Sequence, residues 1–146
     1  MRSFRFRPRY RGVAWTAIGT GGALTAIAVA TMGAVLVPIA TGAIGIALGA
    51  AYLGSPTWRL EVVVDDEALE VKKRFRLPWK DVVRVVASPS THTCFVDGGA
   101  PAKSLLVPGV GAPAPYSIID REGLYAEILA HVDPAKVTEV ATLEAR

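Results

Sequence analysis

An imidazole and a thiol lie close together once in this chain, in the run Thr91, His92, Thr93, Cys94. Residues two apart on a strand share a face, so His92 and Cys94 would meet there. A working thiolate and base also need an orienting group and a pocket, and the neighbouring residues supply no third member. Zinc sites take three or four nitrogen or sulfur ligands, whereas His92, His131 and Cys94 are the whole supply here. With a single cysteine, an intramolecular disulfide and any CxxC pair are ruled out. What remains is a strand carrying an ordinary buried cysteine. Asp65, Asp66 and Glu67 are adjacent acids without the spaced ligands of a calcium loop, as in a solvated turn. Neither GxGxxG nor a P-loop Lys-Ser/Thr occurs, so nucleotide binding has no motif. An enzyme is therefore not expected, and no metal, cofactor or small-molecule substrate is inferred.

One charged surface is left. Lys72, Lys73, Arg74, Arg76 and Lys80 form a basic run, a possible lipid or partner surface. Each such residue beside anionic headgroups contributes ~1 kcal/mol. Glu70 and Asp81 flank the run, and alternating charge is what an exposed strand face shows. The solvated face is the preferred description.

The elements that position these residues follow from charge and hydropathy. No Asp, Glu, Lys, Arg or His occurs between Arg11 and Arg59, more than a soluble core helix requires. Arg2, Arg5, Arg7, Arg9 and Arg11 crowd the start; without them 11 Lys and Arg stand against 13 Asp and Glu, so the formal +3 belongs to one short segment. A global case for nucleic-acid binding fails on that distribution.

A helix rises ~1.5 Å per residue against a hydrocarbon core ~30 Å thick, so one span takes ~20 residues. Residues 13–54 then hold two transmembrane helices, near 13–32 and 35–53, with a turn at Thr31, Met32, Gly33 and Ala34. Ala28, Val29 and Ala30 could mimic a signal-peptide cleavage site, but the apolar stretch is long for one and a second follows at once. The five arginines set the orientation by the positive-inside bias, which places the basic tail 1–12 in the cytoplasm. Two crossings return the chain there, so both termini are expected at the cytoplasmic face of the inner membrane. Gly19 and Ala23, like Gly45 and Gly49, stand four apart and are expected to pack the helices on each other. No ionisable side chain lies inside either span, which leaves a proton relay or ion-coupled transport without groups to work with.

From Trp58 the pattern turns to period two. Leu60, Val62 and Val64 face one way against Arg59 and Glu61, a half-buried strand. After the polar turn 65–67, Leu69, Val71, Phe75 and Leu77 alternate with charges as one second strand, in which Lys73 falls on the apolar side. Val82, Val83, Val85 and Val86 make a third strand. Shorter ones are expected at 93–96, 103–107 and 116–119, with a proline-rich loop over 108–115. Asp120 reads as a helix N-cap, Leu124, Ile128, Leu129 and Val132 as the buried stripe, and Pro134 as the stop.

Leu77, Pro78, Trp79, Lys80, Asp81 and Val82 resemble the apolar-Pro-Trp-x-Asp-apolar turn of bacterial pleckstrin-homology (PH) domains, many of which follow one or two transmembrane helices. In that family the segment joins two early strands, a hairpin rich in small residues follows, and a C-terminal helix closes a barrel. Asp97, Gly98 and Gly99, then Arg121 to Val132, match those places in order within residues 58–133. The resemblance implies a membrane-anchored α+β protein, a two-helix transmembrane hairpin followed by an antiparallel β-barrel-like PH domain closed by the helix. Six strands are nameable where the family has seven, and 134–146 is expected as a tail. The expected role is a non-enzymatic module that binds another protein or itself at the lipid bilayer. The alternative is a peripheral sensor of anionic lipid acting through the basic strand.

Overall fold

The structure, a computed structural model, describes residues 1–33, 35–112 and 114–143. It has two compact units: Pro8–Pro56, and Met1–Arg7 together with Thr57–Arg146.

The first unit is a helical hairpin of α1 (Arg11–Met32) and α2 (Leu36–Leu53). By length and composition both can cross a membrane. Val13, Ile27, Val37, Ile44 and Leu48 are each more than half exposed, the opposite of a soluble core. Small residues line the contact instead. Ala14, Gly21 and Ala28 on α1, and Gly42 and Gly49 on α2, are buried at seven-residue intervals. A Cβ on Gly21 would meet the Gly42 carbonyl, one on Gly42 would strike Gly21 and Thr25, and one on Gly49 would meet Ala14 and Ile18. Backbone therefore packs on backbone. Gly45 and Gly49 lie on this contact, whereas Gly19 faces open space and Ala23 is exposed. Four-residue steps drift round a helix, while a seven-residue repeat keeps returning to one seam. Of the expected turn, Ala34 lies outside the described residues.

The second unit opens with β1 (Arg2–Pro8), where a basic tail was expected. Phe4 and Phe6 are buried while Ser3, Arg5 and Arg7 point outward, a period-two pattern that the density of arginines obscured. β1 pairs antiparallel with β2 (Glu61–Val64), Phe4 opposite Val62 and Arg5 opposite Glu61. β2 pairs with β3 (Ala68–Val71), and β3 with β4 (Phe75–Pro78). The single strand expected over 69–77 is thus a hairpin. It turns at Lys72, Lys73 and Arg74, with Lys73 left-handed at φ 66°. That turn removes the conflict of a lysine on an apolar strand face.

β4, β3, β2, β1 and β8 (Tyr116–Ile118) form a five-stranded sheet. A second sheet runs β7 (Leu105–Val107), β6 (Thr93–Asp97), β5 (Arg84–Ser88), β9 (Val137–Glu139). β9 lies where a frayed tail was expected and pairs parallel with β5, Val85 opposite Val137. All other registers in the described ladders are antiparallel. The sheets do not close into a barrel. β5 carries β6 on one edge and β9 on the other, so it has no edge left for β4, and the short 3-10 turn Trp79–Asp81 makes the crossing between sheets.

α3 (Arg121–His131) covers the core. Asp120 caps it, its carboxylate accepting from the Gly123 N–H. Leu124 and Ile128 are fully buried and join Val62, Leu69, Leu77, Val85 and Val96 in one apolar cluster. Tyr125, absent from the expected stripe, is buried beside them.

Candidate functional site

The sequence pointed first to His92 and Cys94, and their surroundings differ. Cys94 on β6 is fully buried in the core, and burial pushes its thiol up to about 12. At neutral pH it is a thiol without thiolate character. His92 sits in the turn before β6, left-handed at φ 51° and exposed, edge-on to the Tyr125 ring at 5.7 Å. The third candidate, His131, stacks on Trp79 at 5.2 Å; its Nδ1 lies 2.8 Å from the Glu127 carbonyl and its Nε2 3.4 Å from Asp66. The Glu127 contact, with Asp66 beyond it, raises its pKa. No group of three His, Cys, Asp or Glu could hold a metal among the described residues.

The acidic turn is structural. The Asp65 carboxylate accepts from the backbone N–H groups of Glu67 and Ala68, both at 2.8 Å, which lowers its pKa. The Asp65 carbonyl accepts the indole N–H of Trp79 at 2.8 Å. One turn thereby anchors the tryptophan at the join between the two sheets.

The basic residues do not share one strand face. Arg76 on β4 lies among three acids, 3.4 Å from Asp65, 3.6 Å from Glu67 and 3.3 Å from Glu70. Lys72 pairs with Glu61 at 2.7 Å, and Arg5 reaches the same carboxyl at 3.0 Å; the Lys72 and Arg5 contacts lower the Glu61 pKa. Lys80 lies in the 3-10 turn, exposed, its carbonyl 3.3 Å from the Lys136 ammonium. Lys73 and Arg74 form the exposed hairpin tip. Of the N-terminal arginines, Arg2 bridges to Asp120 and Glu127, and Arg7 donates to Ser117. Arg9 follows β1 and Arg11 opens α1.

Two concavities on the sheet unit were invisible in the sequence. The first, about 400 Å³, lies on the outer face of the second sheet. Val86, Phe95 and Leu106 stand in register across β5, β6 and β7, opposite to the core-facing Val85, Ala87, Cys94, Val96, Leu105 and Val107. Val140 and Leu143, beyond β9, complete the wall. Continuous apolar stretches in β5 and in Leu105 to Val107 signal strands covered on both faces. The second, about 310 Å³, opens between Phe6, Leu60, Phe75 and Leu105, with Thr57 and Arg74 at its wall.

The geometry offers concave surfaces on the sheet unit, and the Cys94 thiol is buried in its core. No protein-family model matches this chain, and neither a curated protein nor a solved structure matches it.

Proposed function

We propose that the chain is a membrane-anchored, non-enzymatic PH-like module that displays its sheet domain on the cytoplasmic face of the inner membrane and binds a protein there, either another chain or a second copy. The observation that carries this is the pairing of β1 with β2. The chain leaves the sheet at Pro8, runs through two apolar helices and re-enters at Glu61 on the neighbouring strand. A sheet cannot be divided by a bilayer. The pairing therefore supports an even number of crossings with both flanks on one side, and the arginines next to α1 favour the cytoplasmic side.

The PH-like assignment draws on the order of elements. Two sheets meet at the Pro78-Trp79 turn, Trp79 is held by Asp65, and α3 follows β8 and packs on the core. The apolar row Val86, Phe95, Leu106 lines a concavity on the outer face of the second sheet and supports a binding role for that face, since concave, mostly apolar surface is where binding sites form.

The test is purification of the full-length protein at native expression in mild detergent, with the mass of the intact particle and the identity of whatever co-purifies. A stoichiometric second protein or a defined homo-oligomer is expected, and Phe95→Asp is expected to release it. A bare monomer would overturn the binding role. A C-terminal reporter active only outside the membrane would overturn the orientation.

A further inference from the structure

The outer face of the second sheet carries its side chains in rows across the strands. Arg84 stands opposite Asp97, Val86 opposite Phe95 with Leu106 beyond, and Ser88 opposite Thr93: a charged, an apolar and a hydroxyl row. The chain after α3 lies over the hydroxyl row. The Ala141 carbonyl accepts from the Ser88 and Ser90 hydroxyls, both at 2.8 Å, and the Val140 N–H donates to the Ala87 carbonyl at 2.8 Å. We propose that residues 137–143 are an intramolecular strap on the protein-binding face, displaced when an extended segment of a partner protein pairs with β5 and lays a large apolar side chain on the middle row. The inference rests on the protein-binding reading and gives that reading its site and its regulation.

The strap is built to leave. β9 has three residues at a sheet edge, and its pairing with β5 is parallel, the weaker ladder per residue. Of residues 137–143 none is buried: Thr138, Glu139 and Ala141 are exposed, and Val137, Val140 and Leu143 half-buried. The 3-10 turn Pro134–Lys136 separates them from Val132, which is buried in the core. Departure of the strap therefore leaves the core intact. It also leaves the hydroxyl row satisfied, because the Thr91 hydroxyl donates to Ser88 at 2.8 Å and the Ser88 and Ser90 hydroxyls lie 3.3 Å apart.

What the strap leaves open describes its competitor. About 400 Å³ remains between Val86, Phe95 and Leu106 on the sheet and Val140 and Leu143 on the strap. Protein interiors hold few voids larger than a water molecule, and a bulkier side chain gains the dispersion contacts missing there. The backbone pattern is set by the strap itself, since the Ala87 carbonyl takes an N–H and the two serine hydroxyls take a carbonyl, as an extended peptide provides. Arg84 adds charge complementarity. Its Nε donates to Asp97 at 3.3 Å, and its terminal nitrogens make no further ion pair among the described residues. Same-face rows lie ~6.6 Å apart along a strand, so an acidic side chain two residues from the apolar one would meet them.

The experiment uses the full-length protein in mild detergent and a fluorescein-labelled peptide of residues 137–143 carrying Leu143→Trp, which keeps the strap's backbone pattern and enlarges one side chain. Binding is read by fluorescence anisotropy and protection by hydrogen–deuterium exchange. The wild type is expected to bind the peptide, with exchange over residues 137–143 rising as peptide is added while the β6 amides stay protected. Val140→Pro in the protein removes the N–H bonded to Ala87 and should tighten binding by ~5-fold, the equilibrium effect of one hydrogen bond on the fraction of open face. Phe95→Asp should abolish binding. No binding to wild type or Val140→Pro, equal affinity for the two, or binding that survives Phe95→Asp would overturn the strap. Unchanged protection of residues 137–143 in the peptide-bound wild type would do so even where Val140→Pro fails to fold. The native purification separates the two levels. A bare native monomer whose strap the peptide still displaces would overturn the protein-binding role alone, whereas a native complex with residues 137–143 still protected would overturn the strap alone.

Discussion

The helical hairpin and the sheet unit bury side chains by opposite rules. In the hairpin the large residues, such as Ile27 and Leu48, face outward, and the contact is made by Ala14, Gly21, Ala28, Gly42 and Gly49. In the sheet unit Leu69, Leu77, Leu124 and Ile128 are fully inside and charges cover the outside. With α1 and α2 spanning a membrane as proposed, the difference is one of solvent. Water drives large apolar groups together, whereas lipid gives them no reason to leave, so close backbone approach must hold the helices. The border between the regimes falls inside the arginine-rich segment: Phe4 and Phe6 obey the aqueous rule, and residues from Val13 onward the other.

Four changes would break or sharpen that contrast. The largest effect is expected from Phe4→Asp, which puts an unpaired charge into the core and removes an aromatic that costs roughly 3–5 kcal/mol even as alanine. The sheet domain should lose its protease resistance, whereas Arg9→Gln should leave it intact. If Phe4→Asp were tolerated, residues 2–8 would not be part of the sheet. Next, Gly42→Leu should part the helices, at the ~1–3 kcal/mol typical of overpacking. Cross-linking between cysteines placed on α1 and α2 would fall while thermal unfolding of the sheet domain stayed put; Gly19→Leu, facing open space, should change neither.

Asp120→Ala should lower the unfolding midpoint of the sheet domain by the equivalent of ~1 kcal/mol, the usual loss of a helix cap. The smallest effect concerns His131. Its folded pKa is raised above the ordinary value of 6.5, so its protonated form favours the folded state. That contribution is fully present below the unfolded pKa and fades as pH rises through the folded one. Thermal melts of wild type and His131→Gln should therefore differ more at pH 5.5 than at pH 8.5, and a difference independent of pH would remove the charged contact with Asp66.

Some of this was readable in the residues themselves. The charge-free stretch before Arg59 announces both helices, since no tertiary context is needed to see two runs of spanning length. Asp120, Glu122 and the apolar stripe through Ile128 announce α3, because caps and helical periodicity act within a few residues. The Pro78-Trp79 segment was visible as a strand end. That its indole would bond to Asp65 was not, because the partners are joined only by folding.

The misreadings share one cause. Leu69, Val71, Phe75 and Leu77 keep strict alternation through a tight turn, since paired positions across a hairpin point to the same face, and so two strands look like one. β1 was hidden because arginines at Arg5 and Arg7 dominate its composition while only Phe4 and Phe6 carry the strand signal. β9 has three residues, too few for a period. The sites followed suit: the basic residues are close in sequence, yet the turn at Lys73 separates Lys72 and Arg76, which are bound by acids, from a tip, Lys73 and Arg74, that has no ion pair among the described residues.

Local chemistry in the chain thus determined the two apolar helices, the final amphipathic helix and most strand positions. Only the tertiary structure decided that the first strand joins the sheet across two intervening helices, that Gly21 rather than Gly19 meets the partner helix, and that Val86, Phe95 and Leu106 line one cavity. The physical reason is range. Hydropathy, capping and alternation act over one turn or one strand, whereas strand pairing, helix seam and cavity depend on which distant residues the folded chain brings within a few ångströms of each other.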